Sequence, residues 1–359
     1  MKGLILSGGA GTRLRPITHT SAKQLVPIAN KPILFYGIEA LAEAGVDEIG
    51  IIIGETGEEV REAVGDGSKW GVSVSYIQQD DPLGLAHCVL IAEDFLGEDD
   101  FIMYLGDNML EQGLTEMIKR FNTERSSSSL DCRILLKQVE NPQSFGVATI
   151  DNSGRVTGLV EKPENPPSDL ALVGVYLFTS VIHEAVKAIS PSGRGELEIT
   201  DAIQWLINDG KIVSHDILDG WWIDTGKKDP LLECNKLILQ TLDSDINSSS
   251  TIDDASKVEG TVRIGSGTEI INSSISGPSV IGDNVYIINS QIGPFSSIGD
   301  NCSIINGVIS NSVLLSDCSI EHSGSISNSL LGKSSQVRNS TSDGEITLML
   351  GDDSVVEIS

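Results

Sequence analysis

In the opening stretch LILSGGAGTRLRPIT (4–18), a short apolar run is followed by glycines at positions 8, 9 and 11, then by Arg13 and Arg15, with Lys23 beyond. Glycines lacking a Cβ let backbone N–H groups approach an anion closely, and a following turn of helix adds its dipole. Arg13 can grip phosphate oxygens with a planar fork, whereas Lys23 supplies a compact charge. The spacing matches neither the G-x-G-x-x-G of a dinucleotide fold nor the G-x-x-x-x-G-K-[ST] of a P-loop. Glycines alone would equally serve a tight turn. The formal net charge is −27, with 51 acids against 24 bases, so cations gathered at this loop point to phosphate.

Two carboxylates belong beside them. Asp107 follows the apolar run FIMYLG and Asp224 ends WWID, which places each at the carboxyl end of a strand. Open α/β sheets bind ligands at that edge. Either residue alone could cap a loop or close a turn; together they form a reasonable clamp for Mg²⁺, which bridges phosphates and keeps its waters.

The acidic surface repels nucleic acid and anionic membrane. Cys88, Cys132, Cys234, Cys302 and Cys318 are scattered and never form C-x-x-C, so buried free thiols are expected rather than a disulfide frame or a zinc site. His19, His87, His183, His215 and His322 form no spaced cluster, and His322 reads as a solvated corner. The apolar runs are of strand length, and GGAGTR interrupts any leader; both features lead to the expectation of a cytoplasmic protein.

The elements that must position these residues alternate. Strands are expected at 3–7, 48–53, 73–77, 101–106, 133–139, 158–163, 172–178 and 221–224, with helices over 33–45 and 229–243. Gly45 stands at the C-terminal cap of the first helix. That alternation predicts an α/β sandwich around a mostly parallel sheet. From about residue 244 the chain turns rich in Ser, Asn, Gly and Ile. Aliphatic residues recur there at steps of five or six, and every third one (Ile264, Ile281, Ile298, Leu315, Leu331) marks a repeat of about 17 residues. This predicts a three-sided solenoid with inward aliphatics, whose coils often associate side by side. Residues 332–359 depart from the rhythm, as a cap or a mobile end.

GGAGTRLRPIT with SAKQLVPIANKPI (21–33) resembles the signature of sugar-1-phosphate nucleotidylyltransferases. More narrowly, it is similar to the long-type glucose-1-phosphate thymidylyltransferases, which carry a C-terminal β-helix. The resemblance continues in order through QQDDPLGLAHCV (78–89), YLGDN (104–108), SFGVATID (144–151), VEKPENPPSDLALVGVYLF (160–178), SGRGELEITDAI (192–203) and WWIDTGK (221–227). It implies a Rossmann-like catalytic domain over 1–243 and a left-handed parallel β-helix over 244–359. It also implies a homo-oligomer and transfer of a thymidylyl group from dTTP to glucose 1-phosphate with Mg²⁺ on Asp107 and Asp224. The attacking phosphate is already ionised, so no nucleophilic side chain is needed.

By the same resemblance, Leu6, Gly8, Gly9, Gly11, Thr12 and Arg13 line the nucleotide, while Gln24, Gln79 and Gly84 read the base. Lys162 and Arg194 hold the sugar phosphate, and Glu161, Tyr176 and the backbone of Gly146 and Val173 hold the sugar. Arg13, Lys23, Asp107 and Lys162 are the implied catalytic set. SAKQ departs from the V-S-K-Q of the short enzymes, a subfamily mark that bears on the base. UTP with glucose 1-phosphate, GTP with mannose 1-phosphate, an acetyltransferase tail, or an inactive binder of sugar nucleotides are the alternatives.

Overall fold

The computed structural model describes residues 1–9, 11–339 and 344–358. The apolar runs of the N-terminal half form β1 (Lys2–Ser7), β2 (Glu48–Ile53), β3 (Ser73–Gln78) and β4 (Phe101–Leu105). These pair in parallel in the order β4-β1-β2-β3. Their middles are covered on both faces, which is why they read as unbroken Ile, Leu and Val rather than as alternation. The sheet continues with β5 (Leu130–Gln138), β6 (Gly146–Ile150), β7 (Val156–Glu161), β8 (Leu170–Phe178) and β9 (Ile212–Ile217). Here β8 runs antiparallel to β4, β5 and β6, and β7 antiparallel to β6, so the nine-stranded sheet is mixed.

Helices α1 (Ile33–Glu43), α2 (Gly57–Val64), α3 (Leu85–Ile91), α4 (Thr115–Ser127), α5 (Ile182–Ala188) and α6 (Ile199–Asn208) connect the strands. One core joins both halves of the sheet: Leu4, Met103, Ile134 and Phe178 pack with Val89, Ile182 and Ile203 of the helices. Gly45 adopts the left-handed conformation (φ +84°) expected after α1.

The chain divides into two compact units, one of Met1–Ala10 with Leu34–Trp222, the other of Gly11–Ile33 with Ile223–Ser359. The second contains α7 (Lys228–Thr241) and the repeat, which is a parallel β-helix. One face stacks Val262–Ile264, Ser279–Ile281, Ser296–Ile298, Val313–Leu314, Leu330–Leu331 and Met349–Leu350. Ile264, Ile281, Ile298, Leu314 and Leu331 stand in register. The sequence pattern put Leu315 in that column, but Leu314 occupies it. The corner between Ile309 and Leu314 is one residue shorter than that between Ile292 and Ile298, so the frame shifts there. Corner asparagines take positive φ, among them Asn272 (+46°), Asn289 (+48°) and Asn306 (+53°), a conformation Asn tolerates better than most residues.

The solenoid also extends further than the rhythm suggested. Gln336–Asn339, Glu345–Ile346, Met349–Leu350 and Val355–Ile358 complete another coil, at a wider spacing. The His322 side chain lies outside the described residues. All five cysteines are buried and free, and no helix of the described residues is long and apolar enough to cross a membrane.

Candidate active site

The candidate residues fall into three groups. The first lies at the carboxyl ends of β1, β2 and β3. Gly8 follows β1 closely enough that a Cβ there would stand 3.0 Å from Gln79 Oε1, and a Cβ on Gly54 would meet the Gly8 carbonyl oxygen at 2.6 Å. Gln79 is buried and its Nε2 lies 3.0 Å from His87 Nδ1. Gly84, just before α3, has φ +104°, and a Cβ there would sit 2.5 Å from the Leu197 carbonyl oxygen. Only glycine fits. On α3, burial pushes the Cys88 thiol up to about 12, so it stays protonated. Ser7 Oγ is buried at the end of β1 and finds no partner among the described residues. Leu6 is buried, and Gly9 has open space around its Cα.

Asp107 belongs to the same unit, directly after β4. Asn108 Nδ2 donates to its Oδ1 at 3.0 Å. Asn108 is itself fixed, its amide oxygen accepting from Trp222 Nε1 (2.5 Å) and its carbonyl accepting from Tyr104 Oη (2.7 Å). The carboxylate therefore has a rigid support behind it.

The second group gathers around Glu161, the last residue of β7. Glu161 Oε1 pairs with Lys162 Nζ (3.1 Å) and Arg194 Nη2 (3.2 Å), while Thr200 Oγ1 donates to Oε2 at 3.3 Å. Arg194 also donates to Glu198 Oε1 at 2.8 Å, and Glu198 is buried at the start of α6. Lys162 has φ +41°, a strained value for a non-glycine residue, and its N–H donates to the Phe145 carbonyl at 3.0 Å. A Cβ on Gly146 would meet Glu161 Oε2 at 3.2 Å, so its backbone edge stands beside the cluster. Burial, reinforced by the charges of Glu198 and Glu161, raises the Asp201 carboxyl. The ladder between β8 and β5 breaks between Leu172 and Tyr176. Val173 lies in that irregular stretch, whereas Tyr176 is buried with its ring stacked on Phe178, as a core residue would be.

The third group lies in the other unit. Arg13 Nη2 pairs with Asp224 Oδ2 at 3.2 Å, and Gly226 N–H donates to Asp224 Oδ1 at 2.9 Å. A Cβ built on Gly226 would collide with Arg13 Nη2 and stand 2.8 Å from Asp224 Oδ1 and 2.9 Å from Lys23 Nζ. Two cations and one carboxylate thus converge on a glycine. Gly11 (φ +60°) packs against Lys23 and Thr18, and its carbonyl accepts from Thr18 Oγ1 at 2.7 Å. Thr12 and Arg13 are exposed. Gln24 is buried, and its Oε1 finds no partner among the described residues. The expected helix dipole is absent: Thr12–Leu14 is a single 3₁₀ turn, too short to accumulate one, so any anion here relies on the cations.

No group of three or more His, Cys, Asp or Glu among the described residues is disposed to hold a metal. Mg²⁺ does not demand one, since it uses one or two carboxylates plus substrate oxygens and water. Asp107 and Asp224 are each hard-oxygen donors of the kind Mg²⁺ takes, and Asp224 Oδ2 is paired with Arg13.

The glycine loop was legible from its residue types, and Glu161, Lys162 and Arg194 from the family resemblance. Gly54, Gly226, Asn108, Trp222, Glu198 and Thr200 were not singled out, although DTG and GELEIT lay inside quoted motifs.

The family description Nucleotidyl transferase matches residues 2–241. The chain is 55% identical over 275 residues to the glucose-1-phosphate thymidylyltransferase of Streptomyces griseus, covering 77% of this chain and 76% of that one. It is 50% identical over 265 residues to the low-salt glycan biosynthesis nucleotidyltransferase Agl11 of Haloferax volcanii, covering 74% and 72%. In structure it is similar to a Bacillus anthracis protein named as a glucose-1-phosphate thymidylyltransferase and crystallised with sucrose. That likeness has a TM-score of 0.63 and 34% identity, and covers 68% of this chain and 97% of that one.

Proposed function

Because the chain belongs to the nucleotidyl transferase family, we propose that it transfers a thymidylyl group from dTTP to α-D-glucose 1-phosphate, releasing pyrophosphate. In this reading residues 1–243 do the chemistry and 244–359 form the β-helix, through which the protein assembles as a homo-oligomer in the cytoplasm. The convergence of Arg13, Lys23 and Asp224 on Gly226 carries the phosphate chemistry. The likeness to the Streptomyces enzyme supports the base and the sugar.

A sugar-phosphate oxygen attacks the α-phosphorus of dTTP, a bond to that phosphorus forms, and the bond to the bridging oxygen of pyrophosphate breaks. Both reactants are anions, so the protein's work is electrostatic and geometric. Arg13 and Lys23 take the triphosphate, against a backbone edge from Leu6, Gly8, Gly9, Gly11 and Thr12. Gln79, Gly84 and the unpaired oxygen of Gln24 take the base. Lys162 and Arg194, now turned toward Glu161, exchange that carboxylate for the sugar phosphate. Glu161 is then free to accept a sugar hydroxyl beside the backbone of Gly146 and Val173, with Tyr176 packed beneath. Asp107 and Asp224 would hold Mg²⁺, which when bound would neutralise charge on the phosphate oxygens.

Thymine and uracil share an imide edge and differ by one methyl, worth about 1–3 kcal/mol of discrimination. Some turnover of UTP is therefore expected. A pyrophosphate-release assay over four sugar phosphates and five nucleotides tests the reading: dTTP with glucose 1-phosphate should give the highest kcat/KM. A maximum at UTP or at GTP with mannose 1-phosphate, or no turnover despite tight dTTP binding, would replace it. Acetyl-CoA should not be consumed with glucosamine 1-phosphate.

A further inference from the structure

The loop that carries Arg13 and Lys23 has little structure of its own. Between Gly11 and Ile33 there are only three 3₁₀ turns (Thr12–Leu14, Ile17–His19, Lys23–Leu25) and a hairpin of two-residue strands, Pro27–Ile28 with Lys31–Pro32. Elements this short are marginal without tertiary support. The support comes from the β-helix, within the same compact unit.

We infer that the solenoid is the template for this loop and that Asp352 and Asn235 are its positioning residues. Thr20 Oγ1 donates to Asp352 Oδ2 at 2.7 Å, and Ser21 Oγ donates to the same oxygen at 3.2 Å. The other carboxylate oxygen of Asp352 accepts from Lys333 N–H at 2.8 Å, which ties it to the preceding coil. Beside it, Gly351 lets the coil approach the loop backbone: a Cβ there would stand 3.1 Å from the Pro16 carbonyl oxygen.

The second anchor is at the hairpin. Ala29 (φ +48°) and Asn30 (φ +60°) form its turn, a conformation that two non-glycine residues keep only under constraint. Ala29 N–H donates to Asn235 Oδ1 at 2.8 Å, and Asn30 Nδ2 donates to the Ile298 carbonyl at 2.6 Å. Asn235 is fully buried on α7, accepting also from Ser297 Oγ (2.7 Å) and donating to the Phe295 carbonyl (3.2 Å). Lys23 and Gln24 lie between the anchors. The stitches reach from the coil of Ser296–Ile298 to that of Met349–Leu350, three strands further along one stack.

This inference rests on the reading that Arg13 and Lys23 grip the nucleotide. Releasing the Asp352 anchor should then disperse the cations without touching Glu161, Lys162 or Arg194. In Asp352→Ala we expect the KM for dTTP to rise about 10-fold with that for glucose 1-phosphate unmoved. Asp352→Asn, which keeps an accepting oxygen, should recover most of the loss. The pair Thr20→Val and Ser21→Ala should match Asp352→Ala and add little to it when combined. The midpoint of thermal unfolding should stay within about 2 °C of wild type.

Trypsin cleavage after the exposed Arg13 should quicken in Asp352→Ala, a readout of anchoring that holds whichever substrates the enzyme takes. A dTTP KM equal to wild type, unchanged cleavage at Arg13, full additivity of the two sets, or a fall in kcat alone would each overturn the inference. Failure of the parent reading would show separately, as a wild-type protein that does not turn over dTTP and glucose 1-phosphate.

Discussion

Asp224 does two jobs at once. Its Oδ1 fixes the Gly226 backbone and its Oδ2 pairs with Arg13, so the same carboxylate that would face a cation also aims a phosphate-binding side chain. Asp107, directly after β4, accepts from Asn108 Nδ2. Both Asp107→Asn and Asp224→Asn should lower kcat with Mg²⁺ by at least about 100-fold, since charge on a transferring phosphoryl group is the dominant cost. Asp224→Asn alone should in addition weaken dTTP binding measured without metal. Near-normal turnover in both variants would remove the metal assignment. Lys162 makes a different case: its partner in the structure is Glu161 at 3.1 Å. Lys162→Ala should raise the KM for glucose 1-phosphate about 10- to 100-fold, the worth of a charge-assisted contact, and leave that for dTTP unchanged. Equal effects on both substrates would undo its role. Cations in an acidic chain announce themselves in sequence, which is why Arg13 and Lys23 could be picked out, whereas Lys162 and Arg194 stood out only through the family resemblance. Glu198 could not, because one buried acid among 51 looks like any other until Arg194 is seen lying on it.

At the scale of elements, the repeat was legible because each coil must supply one inward aliphatic per face, and that demand writes a period into the sequence. The register of the shortened coil was not legible. Leu314 and Leu315 are adjacent and both buried, so hydrophobicity cannot choose between them; backbone pairing with Ile298 and Leu331 does. Seven strands of the main sheet fell within three residues of their observed limits, whereas β6 and β9 were not anticipated. Directions did not follow from pattern, since β8 reads as apolar throughout whether its neighbours run with it or against it. The same inward–outward logic makes a measurable contrast. Ile287 is fully buried, while its neighbour Tyr286 is 39% exposed. Ile287→Ala should cost about 2–5 kcal/mol in urea unfolding. Tyr286→Ala should stay within about 0.5 kcal/mol. Comparable losses would mean that the coil does not present these residues to opposite sides in solution.

For the molecule as a whole the governing number is the net charge of −27. Charge of one sign repels itself in any compact state and is relieved by unfolding, so it subtracts from stability. Salt screens that repulsion: the Debye length shrinks from about 30 Å at 0.01 M to about 10 Å at 0.1 M and about 3 Å at 1 M. The ion pairs that salt would weaken are mostly exposed, such as Lys119–Glu116 and Lys187–Glu93, and such pairs are worth little. Repulsion therefore outweighs attraction, and added NaCl should raise Tm by roughly 5 °C or more. The shape of the curve identifies the cause. Screening acts where the Debye length changes fastest, so most of the rise should come below about 0.3 M and then level off. A rise that stays linear into molar salt would point instead to exclusion of salt from the protein surface, and a fall would mean that the ion pairs, not the excess of acids, set the balance. The same screening should weaken the grip of Arg13 and Lys23 on a polyanionic nucleotide, so the KM for dTTP should climb over the salt range that stabilises the fold.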